Sequence, residues 1–311
     1  MIKAIFWDND GILVDTERYY YQATKEVLAT VEVDLTEELF AELLLKQAKG
    51  AWHLASEKGC TEEKVKELHQ QRNENYLSML KTGSLEIPNV RQVLEELHGT
   101  VQMSIVTSSL QETFATIHER TGFLEYMDFF LAKGDYSKSK PDPSPYLTAL
   151  TKSGLKPEEC VVIEDSQRGL IAAKAAGLAC WVIPTELTKG QDFSQADKVL
   201  TSIAEVPPLI HASRAKNLLG ILDLGSNSVM LTVGDANKNE PRQIAEFFRV
   251  TKLGDKVTHT NHLNEAAVER TLQAAQNFIT AAKDMGVKRF VGTATSAVRD
   301  ADNGTNFLLN K

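Results

Sequence analysis

The stretch IKAIFWDNDGILVDTE, residues 2–17, decides how the chain is read. Residues 2–7 are a short apolar run of β-forming residues, the pattern of a buried strand. Asp8, Asn9, Asp10 and Gly11 follow at once. Two carboxylates one residue apart at such a strand end can divide labour, one attacking an electrophile and the other moving protons. A solvated acidic turn or a calcium loop is the plainer alternative. An EF-hand loop, however, follows a helix and has glycine at its sixth position. Here a strand comes first, and Gly11 stands three residues after Asp8.

Working outward, the pattern from Asp15 to about Leu97 is helical. ERYYYQATKEVLA (17–29), TEELFAELLLKQA (36–48), TEEKVKELHQQRNENYLSML (61–80) and VRQVLEELH (90–98) all space apolar residues three and four apart. Thr36 and Thr61, each followed by acidic residues, read as N-caps. Beyond them strands and helices alternate. VQMSIVT (101–107), MDFFLA (127–132), CVVIED (160–165) and ACWVIP (179–184) read as strands. QETFATIHERTG (111–122), PSPYLTALTKSG (143–154) and QRGLIAAKAAG (167–177) read as helices that end at glycine. Such alternation with fully apolar strands predicts an α/β fold with a doubly wound, Rossmann-like parallel sheet. The helical stretch inserted after the first strand predicts a separate cap.

In such a sheet the working residues sit just beyond the carboxyl ends of the strands. VQMSIV runs into Thr107, Ser108 and Ser109, whose hydroxyls and backbone N–H groups at the next helix start form a natural phosphate cradle. Read singly, they are ordinary N-caps. Lys140, in KSKPDPSPY (138–146), precedes a helix opened by prolines, which suits a phosphate contact; a lone lysine is otherwise simply solvated. Glu164 and Asp165 end the very apolar strand CVVI and are followed by Ser166. An acidic pair there is costly unless it binds a cation or caps a helix. Capping would account for Asp165 but leaves Glu164 unexplained.

These sites form a joint pattern. IFWDNDGILVDTE (5–17), SIVTSS (104–109), SKPDPSPYL (139–147) and VVIEDSQRGLIAAKAAG (161–177) resemble the haloacid-dehalogenase superfamily, in its order, over about residues 1–205. The inserted helices resemble the cap of its β-phosphoglucomutase-like branch. The resemblance implies a core at 1–15 and 98–205 and a cap at about 16–97. It implies that Asp8 attacks phosphorus to give an aspartyl-phosphate. Asp10 would protonate the leaving oxygen, then take a proton from water. Gly11, Thr107, Ser108 and Lys140 would hold the phosphoryl group, with Lys140 also neutralising Asp8. Mg²⁺ would be held by Asp8, Asp165 and the backbone carbonyl of Asp10, with Glu164 helping through water. The physical chemistry agrees, because crowded carboxylates repel unless cations compensate and Mg²⁺ prefers oxygen ligands together with a substrate phosphate.

Two positions depart from the family pattern. Asn9 is polar where an apolar residue is usual, and Trp7 replaces a common Phe; neither removes a catalytic group. True dehalogenases generally lack the second aspartate, so Asp10 argues for phosphate chemistry. In KQAKGAWH (46–53), Lys46, Lys49, Gly50, Trp52 and His53 lie where relatives place substrate contacts. The plainer reading packs Trp52 in the cap core and solvates the lysines. The implied activity is a Mg²⁺-dependent phosphatase of a small phosphorylated metabolite such as a sugar phosphate, with a phosphomutase as the alternative.

AEVPPLIHASRAKN (204–217) carries Pro207-Pro208 and lacks periodicity, which places a linker at 206–216. A new α/β unit follows. LLGILDLG (218–225) and SVMLTVGD (228–235) are strands around a Gly/Ser turn, and IAEFFRVTKLG (244–254) is a third. NEAAVERTLQAAQNFITAAKDMG (264–286) is a long helix and VKRFVGTAT (287–295) another strand. Asp223-Leu224-Gly225-Ser226-Asn227-Ser228 could approach a phosphate through backbone N–H groups, although an ordinary turn explains it equally well. With TKLGD (251–255) and GTATSAVRDADN (292–303), this stretch resembles the N-terminal third or less of the exopolyphosphatase / guanosine-pentaphosphate phosphohydrolase family, of actin-like fold. The resemblance implies a phosphate channel lined by Asp223, Gly225, Ser226, Asn227, Ser228, Thr295, Ser296 and Arg299, a contact for polyphosphate or a guanosine alarmone; a phosphatase regulated by such binding is the second alternative for the chain's function. The family's catalytic glutamate, second glycine-rich loop and second half do not occur before Lys311. This partial actin-like unit is therefore expected to be inactive by itself. Its exposed apolar surface would favour a homo-oligomer.

Bulk properties fit this reading. A length of 311 residues suggests about two domains, and 42% apolar residues suffice for ordinary cores. No run approaches the roughly 18 apolar residues of a membrane span, and the N-terminal apolar run is too short for a signal peptide. Cys60, Cys160 and Cys180 have neither CxxC nor zinc-like spacing, which suggests a reduced, cytoplasmic protein. A net charge of -8 argues against nucleic-acid binding. The charge is uneven: Ala212–Lys311 carries 13 Lys+Arg against 10 Asp+Glu, the remainder 21 against 32.

Overall fold

Ala4–Trp7 forms strand β1, with all four side chains buried, as expected of a strand covered on both faces. The computed structural model describes residues 1–46, 50–215, 217–237, 241–255, 261–295, 298–299, 301–304 and 307. The chain divides into two compact units, Met1–Pro207 and Pro208–Lys311.

In the first unit β1 is joined by β2 (Gln102–Leu110), β3 (Phe129–Lys133), β4 (Cys160–Glu164), β5 (Ala179–Val182) and β6 (Lys198–Val199). All pairings are parallel, in the order β3-β2-β1-β4-β5-β6. Trp7 lies between Ile105 and Ile163 in register. Because the chain winds outward on one side of β1 and returns on the other at β4, the two strands flank a topological switch point, where open α/β sheets bind ligands.

Helices α6 (Gln111–Thr121), α7 (Ser144–Ser153) and α8 (Gln167–Ala175) make the crossovers. Gly122 and Gly154 end α6 and α7 in left-handed backbone, φ 66° and 69°, which glycine adopts without strain. The inserted cap holds α1 (Glu17–Ala29), α2 (Glu37–Phe40), α3 (His53–Glu57) and α4 (Glu62–Thr82), with a π-helical turn at Ala41–Lys46. Tyr21, Leu28, Leu35, Phe40 and Leu68 form its apolar centre. Thr36 and Thr61 cap α2 and α4, each accepting an N–H at 3.2 Å. Helix α5 (Val90–Leu97), grouped with the insert by sequence, packs against the 3₁₀ turns Phe123–Tyr126 and Ile203–Glu205, beside the sheet.

The segment expected to be an aperiodic linker is helix α9 (Val206–Arg214). Val206 and Ile210, four apart, are both buried, and prolines are tolerated in a first helical turn because its N–H groups need no intrahelical partner.

The second unit has strands β7 (Leu218–Leu224), β8 (Ser228–Asp235), β9 (Arg242–Val250) and β10 (Phe290–Ala294) in the order β10-β7-β8-β9. β7, β8 and β9 are antiparallel neighbours, while β10 runs parallel to β7. A parallel pair needs a long crossover, and α10 (Glu265–Asp284) supplies it. Leu231, Val233, Ala282 and Val287 pack between sheet and helix. On the opposite sheet face Ile221, Phe248, Val250 and Val291 remain exposed. Among the described residues no helix is long and apolar enough to cross a membrane.

Candidate active site at the carboxyl ends of the strands

Asp8 leaves β1 with its N–H donating to Ile163 O at 2.9 Å, so the loop starts beside β4. The Asn9 carbonyl then accepts from Ile12, Leu13 and Val14 N–H at 3.3, 2.8 and 3.1 Å, which turns the chain tightly. Gly11 has φ +82°, and a Cβ there would stand 2.5 Å from Asp165 Oδ2. Only glycine lets this loop lie against the acidic end of β4.

Lys140 is buried at the centre of the cluster. Its ammonium donates to Asp8 Oδ1 at 2.6 Å, Glu164 Oε1 at 2.7 Å and Val106 O at 2.9 Å, which uses all three protons. Glu164 also accepts from Tyr146 OH at 2.6 Å and Ser166 Oγ at 3.2 Å. A Cβ on Gly169 would fall 1.9 Å from the Glu164 carboxylate, so α8 approaches this closely only through a glycine. Asp10 turns to hydroxyls instead: it accepts from Thr107 at 3.2 Å and Ser109 at 2.7 Å, and also from Thr16.

Burial raises the Asp8 pKa to about 7, with repulsion from Glu164 adding to it and Lys140 opposing. Asp165 is pushed well above the carboxylate range by burial and by Glu17, Asp8 and Glu164. Burial works against the Lys140 charge, but Asp8 and Glu164 outweigh it and hold the ammonium above the ordinary lysine value. Anions crowded this closely call for another cation. Asp165 Oδ2 is buried without a hydrogen-bond partner, and Asp8, Glu164 and Asp165 offer oxygens within 4.8 Å of one another. The donor set is all oxygen, which suits a hard divalent ion. The residues present fit a metal.

Thr107, Ser108 and Ser109 lie on β2 itself, with α6 starting beyond them at Gln111. Helix α6 starts at Gln111, where its sequence pattern places it, and N-capping is not the triplet's role. Ser108 Oγ is buried without a partner. Asp165 does not cap α8 either, because Ser166 does so, accepting from Gly169 N at 3.2 Å.

A cavity of about 460 Å³ is lined by Asp8, Asp10, Thr107, Ser108, Lys140 and Asp165. Another, of about 560 Å³, is lined by Gly11, Arg18 and Glu86 among others, and none of the paired strand-end carboxylates borders it. The smaller cavity holds the chemistry. Glu164 lies behind it, fully buried. Trp52 packs against the apolar centre of the cap, and its ring lies 3.9 Å from that of His69. Lys49 lies outside the described residues.

Sequence reasoning missed the cap's contribution to this cavity. Glu17, Tyr20, Arg72 and Tyr76 line it, as does Arg168 from α8. Arg72 is buried, stacked 4.2 Å from the Tyr20 ring centroid, and among the described residues no carboxylate pairs with it. Burial, then repulsion from Asp10 and Asp8, raises Glu17 to about 8. Glu17 closes the very stretch that decided the fold, and its place three residues from Val14 was the available signal. Arg72 gave none, because a polar residue on an amphipathic helix is normally solvated.

The haloacid dehalogenase-like hydrolase model matches residues 5–183, more than half of the chain. The chain belongs to the haloacid dehalogenase-like hydrolase family. Protein CbbY of Rhodobacter capsulatus is 32% identical over 209 residues, 63% of this chain and 91% of that protein. A phosphorylated carbohydrates phosphatase of Thermotoga maritima is 29% identical over 57% of this chain and 82% of its own length. A crystal structure of a CbbY mutant from Rhodobacter sphaeroides, in complex with xylulose-1,5-bisphosphate, superposes with a TM-score of 0.57 at 27% identity, covering 66% of this chain and 96% of that one. The family match and the phosphatase relatives make this hydrolase a phosphoric monoester hydrolase of small phosphorylated metabolites. A second model, of the Ppx/GppA phosphatase family, matches residues 232–310.

In the second unit the Leu224–Ser228 turn meets two other segments at one end of the sheet. Gly225 N–H donates to Ser228 O at 2.8 Å, Gly254 N–H to Ser226 O at 2.7 Å and Thr295 N–H to Leu224 O at 3.1 Å. Asp223 Oδ1 accepts from Thr293 at 2.8 Å. Asn227 O accepts from Thr251 and Lys252 N–H, and Arg299 lies one helical turn beyond Thr295, its N–H directed to Thr295 O at 3.4 Å. Ser296 lies outside the described residues.

Proposed function

We propose that Asp8 is the nucleophile and Asp10 the proton-transfer group in hydrolysis of a sugar-like phosphate that carries a second anionic group. The observation that carries the reading is the different fate of the two carboxylates in one cavity. Asp8 Oδ1 is tied to Lys140, which leaves Oδ2 for in-line attack on phosphorus. Asp10 is held by hydroxyls, within the same cavity and free of the lysine. Attack by Asp8 forms the Asp8–phosphorus bond and breaks the bond to the leaving oxygen, which takes its proton from Asp10. Asp10 then accepts a proton from the water that cleaves the aspartyl-phosphate. Lys140, Thr107 and Ser108 supply positive charge and donors to the phosphoryl oxygens.

Asp8, Asp165 and the backbone carbonyl of Asp10 would hold Mg²⁺, with Glu164 behind them. The ion would neutralise phosphoryl oxygens and the carboxylate cluster. Arg72, without a carboxylate partner among the described residues, supports a second anion on the substrate. A guanidinium stacked on an aromatic ring presents a fixed fork to phosphate or carboxylate. Glu17, which lines the same cavity, suits substrate hydroxyls. Free cysteines at 60, 160 and 180 support a reducing, cytoplasmic setting.

A phosphate-release screen over sugar monophosphates and bisphosphates, with Mg²⁺ and with EDTA, tests this reading. Metal-dependent release, fastest from a bisphosphate and with KM raised by Arg72→Ala, is expected. Release from no phosphomonoester by well-folded protein would contradict it. Sugar-phosphate isomerisation stimulated by trace bisphosphate would instead mean a mutase.

For the second unit the same proposal assigns phosphate-chain contact. Its support is the glycine turn at Gly225, the excess of basic residues, and the buried hydroxyls of Thr251 and Thr295 that lack partners. Calorimetry of the full chain with inorganic polyphosphate is the test, and no heat of binding would remove it.

A further inference from the structure

We infer that Asn9 and His118 are a positioning pair, a buried hydrogen bond that locks the Asp8–Asp10 loop to the helix following the phosphate-binding end of β2. The inference rests on the reading of Asp8 and Asp10 given above. Asn9 stands between the two carboxylates, and its side chain is fully buried. Its Oδ1 lies 3.0 Å from His118 Nε2. His118, on α6, is itself buried, and its Nδ1 lies 3.0 Å from Thr121 Oγ1. Thr121 Oγ1 accepts from Phe123 N–H at 3.4 Å.

With a neutral imidazole, one arrangement of protons serves this chain from Phe123 N–H to Asn9 Oδ1, while Asn9 Nδ2 stays buried without a partner among the described residues. Phe123 N–H donates to Thr121 Oγ1, the Thr121 hydroxyl donates to His118 Nδ1, and His118 Nε2–H donates to Asn9 Oδ1. It requires an imidazole with a single proton, on Nε2. Burial supports that state by lowering His118 to about 4, against a smaller opposing pull from Asp10. Phe114, 4.3 Å from the imidazole centroid, and Phe123 wall the ring in place.

The pair joins two segments that must act together. Asn9 fixes the loop that carries both carboxylates. His118 rides on the helix that begins directly after Thr107, Ser108 and Ser109, and two of those hydroxyls hold Asp10. An apolar residue at position 9 would anchor the loop by packing alone, without direction. A hydrogen bond fixes direction, and attack distance is sensitive to it. The partners are 109 residues apart in sequence, so the unusual polar residue in the first motif finds its reason only in the fold.

The test compares Asn9→Leu, His118→Leu, the double variant and His118→Gln, whose amide N–H can stand in for Nε2–H. p-Nitrophenyl phosphate hydrolysis gives kcat and KM, calorimetry gives orthovanadate affinity, and thermal unfolding reports stability. If the pair positions the loop, each leucine variant loses about 10- to 100-fold in kcat with KM within about twofold. The double variant is no worse than either single one, as for residues that act as a unit, and His118→Gln recovers most of the loss. Orthovanadate binding weakens in step with kcat. Leucine variants that melt earlier but keep wild-type kcat and orthovanadate affinity would show a merely structural pair and overturn the inference. So would losses that multiply in the double variant. Wild-type protein that binds orthovanadate but hydrolyses no ester would refute the phosphatase reading instead; the orthovanadate comparison would then still decide on the pair.

Discussion

Asp8 and Asp223 both stand near the end of a strand, each with a glycine two or three residues on. At Asp8, three other chain segments arrive with complementary chemistry: β2 with hydroxyls, the loop before α7 with Lys140, and β4 with Glu164 and Asp165. The groups are buried, mutually perturbed and gathered at a cavity. At Asp223 the neighbour is Thr293, and Ser226 and Asn227 are exposed. The difference lies in the topology around the residue. A parallel sheet that reverses direction at β1 and β4 collects several strand ends at one crevice, whereas in an antiparallel meander with one added parallel strand only β7 and β10 are hydrogen-bonded neighbours with carboxyl ends side by side.

Substitution of the two aspartates should separate the units most widely. Asp8→Asn removes the attacking oxygen and should lower kcat roughly 10³-fold or more, as losing a nucleophile does elsewhere. Asp223→Asn should leave phosphate release within about twofold of wild type. Steady-state assays of both variants check this, and a large effect of Asp223→Asn would erase the contrast.

Lys140→Met gives the next largest effect. It leaves Asp8 and Glu164 facing each other without their cation, a loss of about 3–5 kcal/mol at neutral pH. Urea unfolding measures it. Thr293→Val, which removes the one hydroxyl on Asp223, should cost about 1 kcal/mol.

A metal titration sharpens the comparison further. Asp8 has its pKa raised from 3.8 to about 7 in the folded protein, so the folded state holds this proton more tightly than the unfolded one. Its favourable contribution is complete below about pH 4 and is lost as pH rises toward 7. On the proposed reading, Mg²⁺ bound to these carboxylates would replace those protons. The rise in Tm on adding Mg²⁺ should therefore be larger at pH 7.5 than at pH 5, and absent in Asp165→Ala. An increment independent of pH would argue against binding at these carboxylates.

The smallest effects should be equal in the two units. Thr61→Ala and Asn264→Ala each remove a side-chain cap that accepts an N–H at 3.2 Å, and each should cost about 1 kcal/mol in chemical unfolding. Capping is local and does not depend on whether a site lies nearby.

Much of the first unit was legible because its signals are local. Apolar runs predict β1 to β5, glycines end α6 and α7, and polar residues clustered after strands mark Asp8, Thr107, Lys140 and Asp165. What escaped depends on distance along the chain. Arg72 reaches the cavity only because α4 folds back over α1, and His118 meets Asn9 across 109 residues of chain. Helix α9 escaped for another reason. Two prolines suggested a break, although Val206 and Ile210 already held helical spacing. The carboxylate cluster was legible in composition, but its order was not: Glu164 serves Lys140 and Tyr146 from behind, and Ser166 rather than Asp165 caps α8.

The central claim is that Asp8 takes the phosphoryl group. Rapid acid quench during turnover, followed by peptide mass spectrometry, tests it directly. The expected result is one added phosphoryl group on the peptide containing Asp8, labile to base and missing in Asp8→Asn. Turnover with no phosphorylated Asp8 peptide, or with the phosphoryl group on another residue, would contradict it.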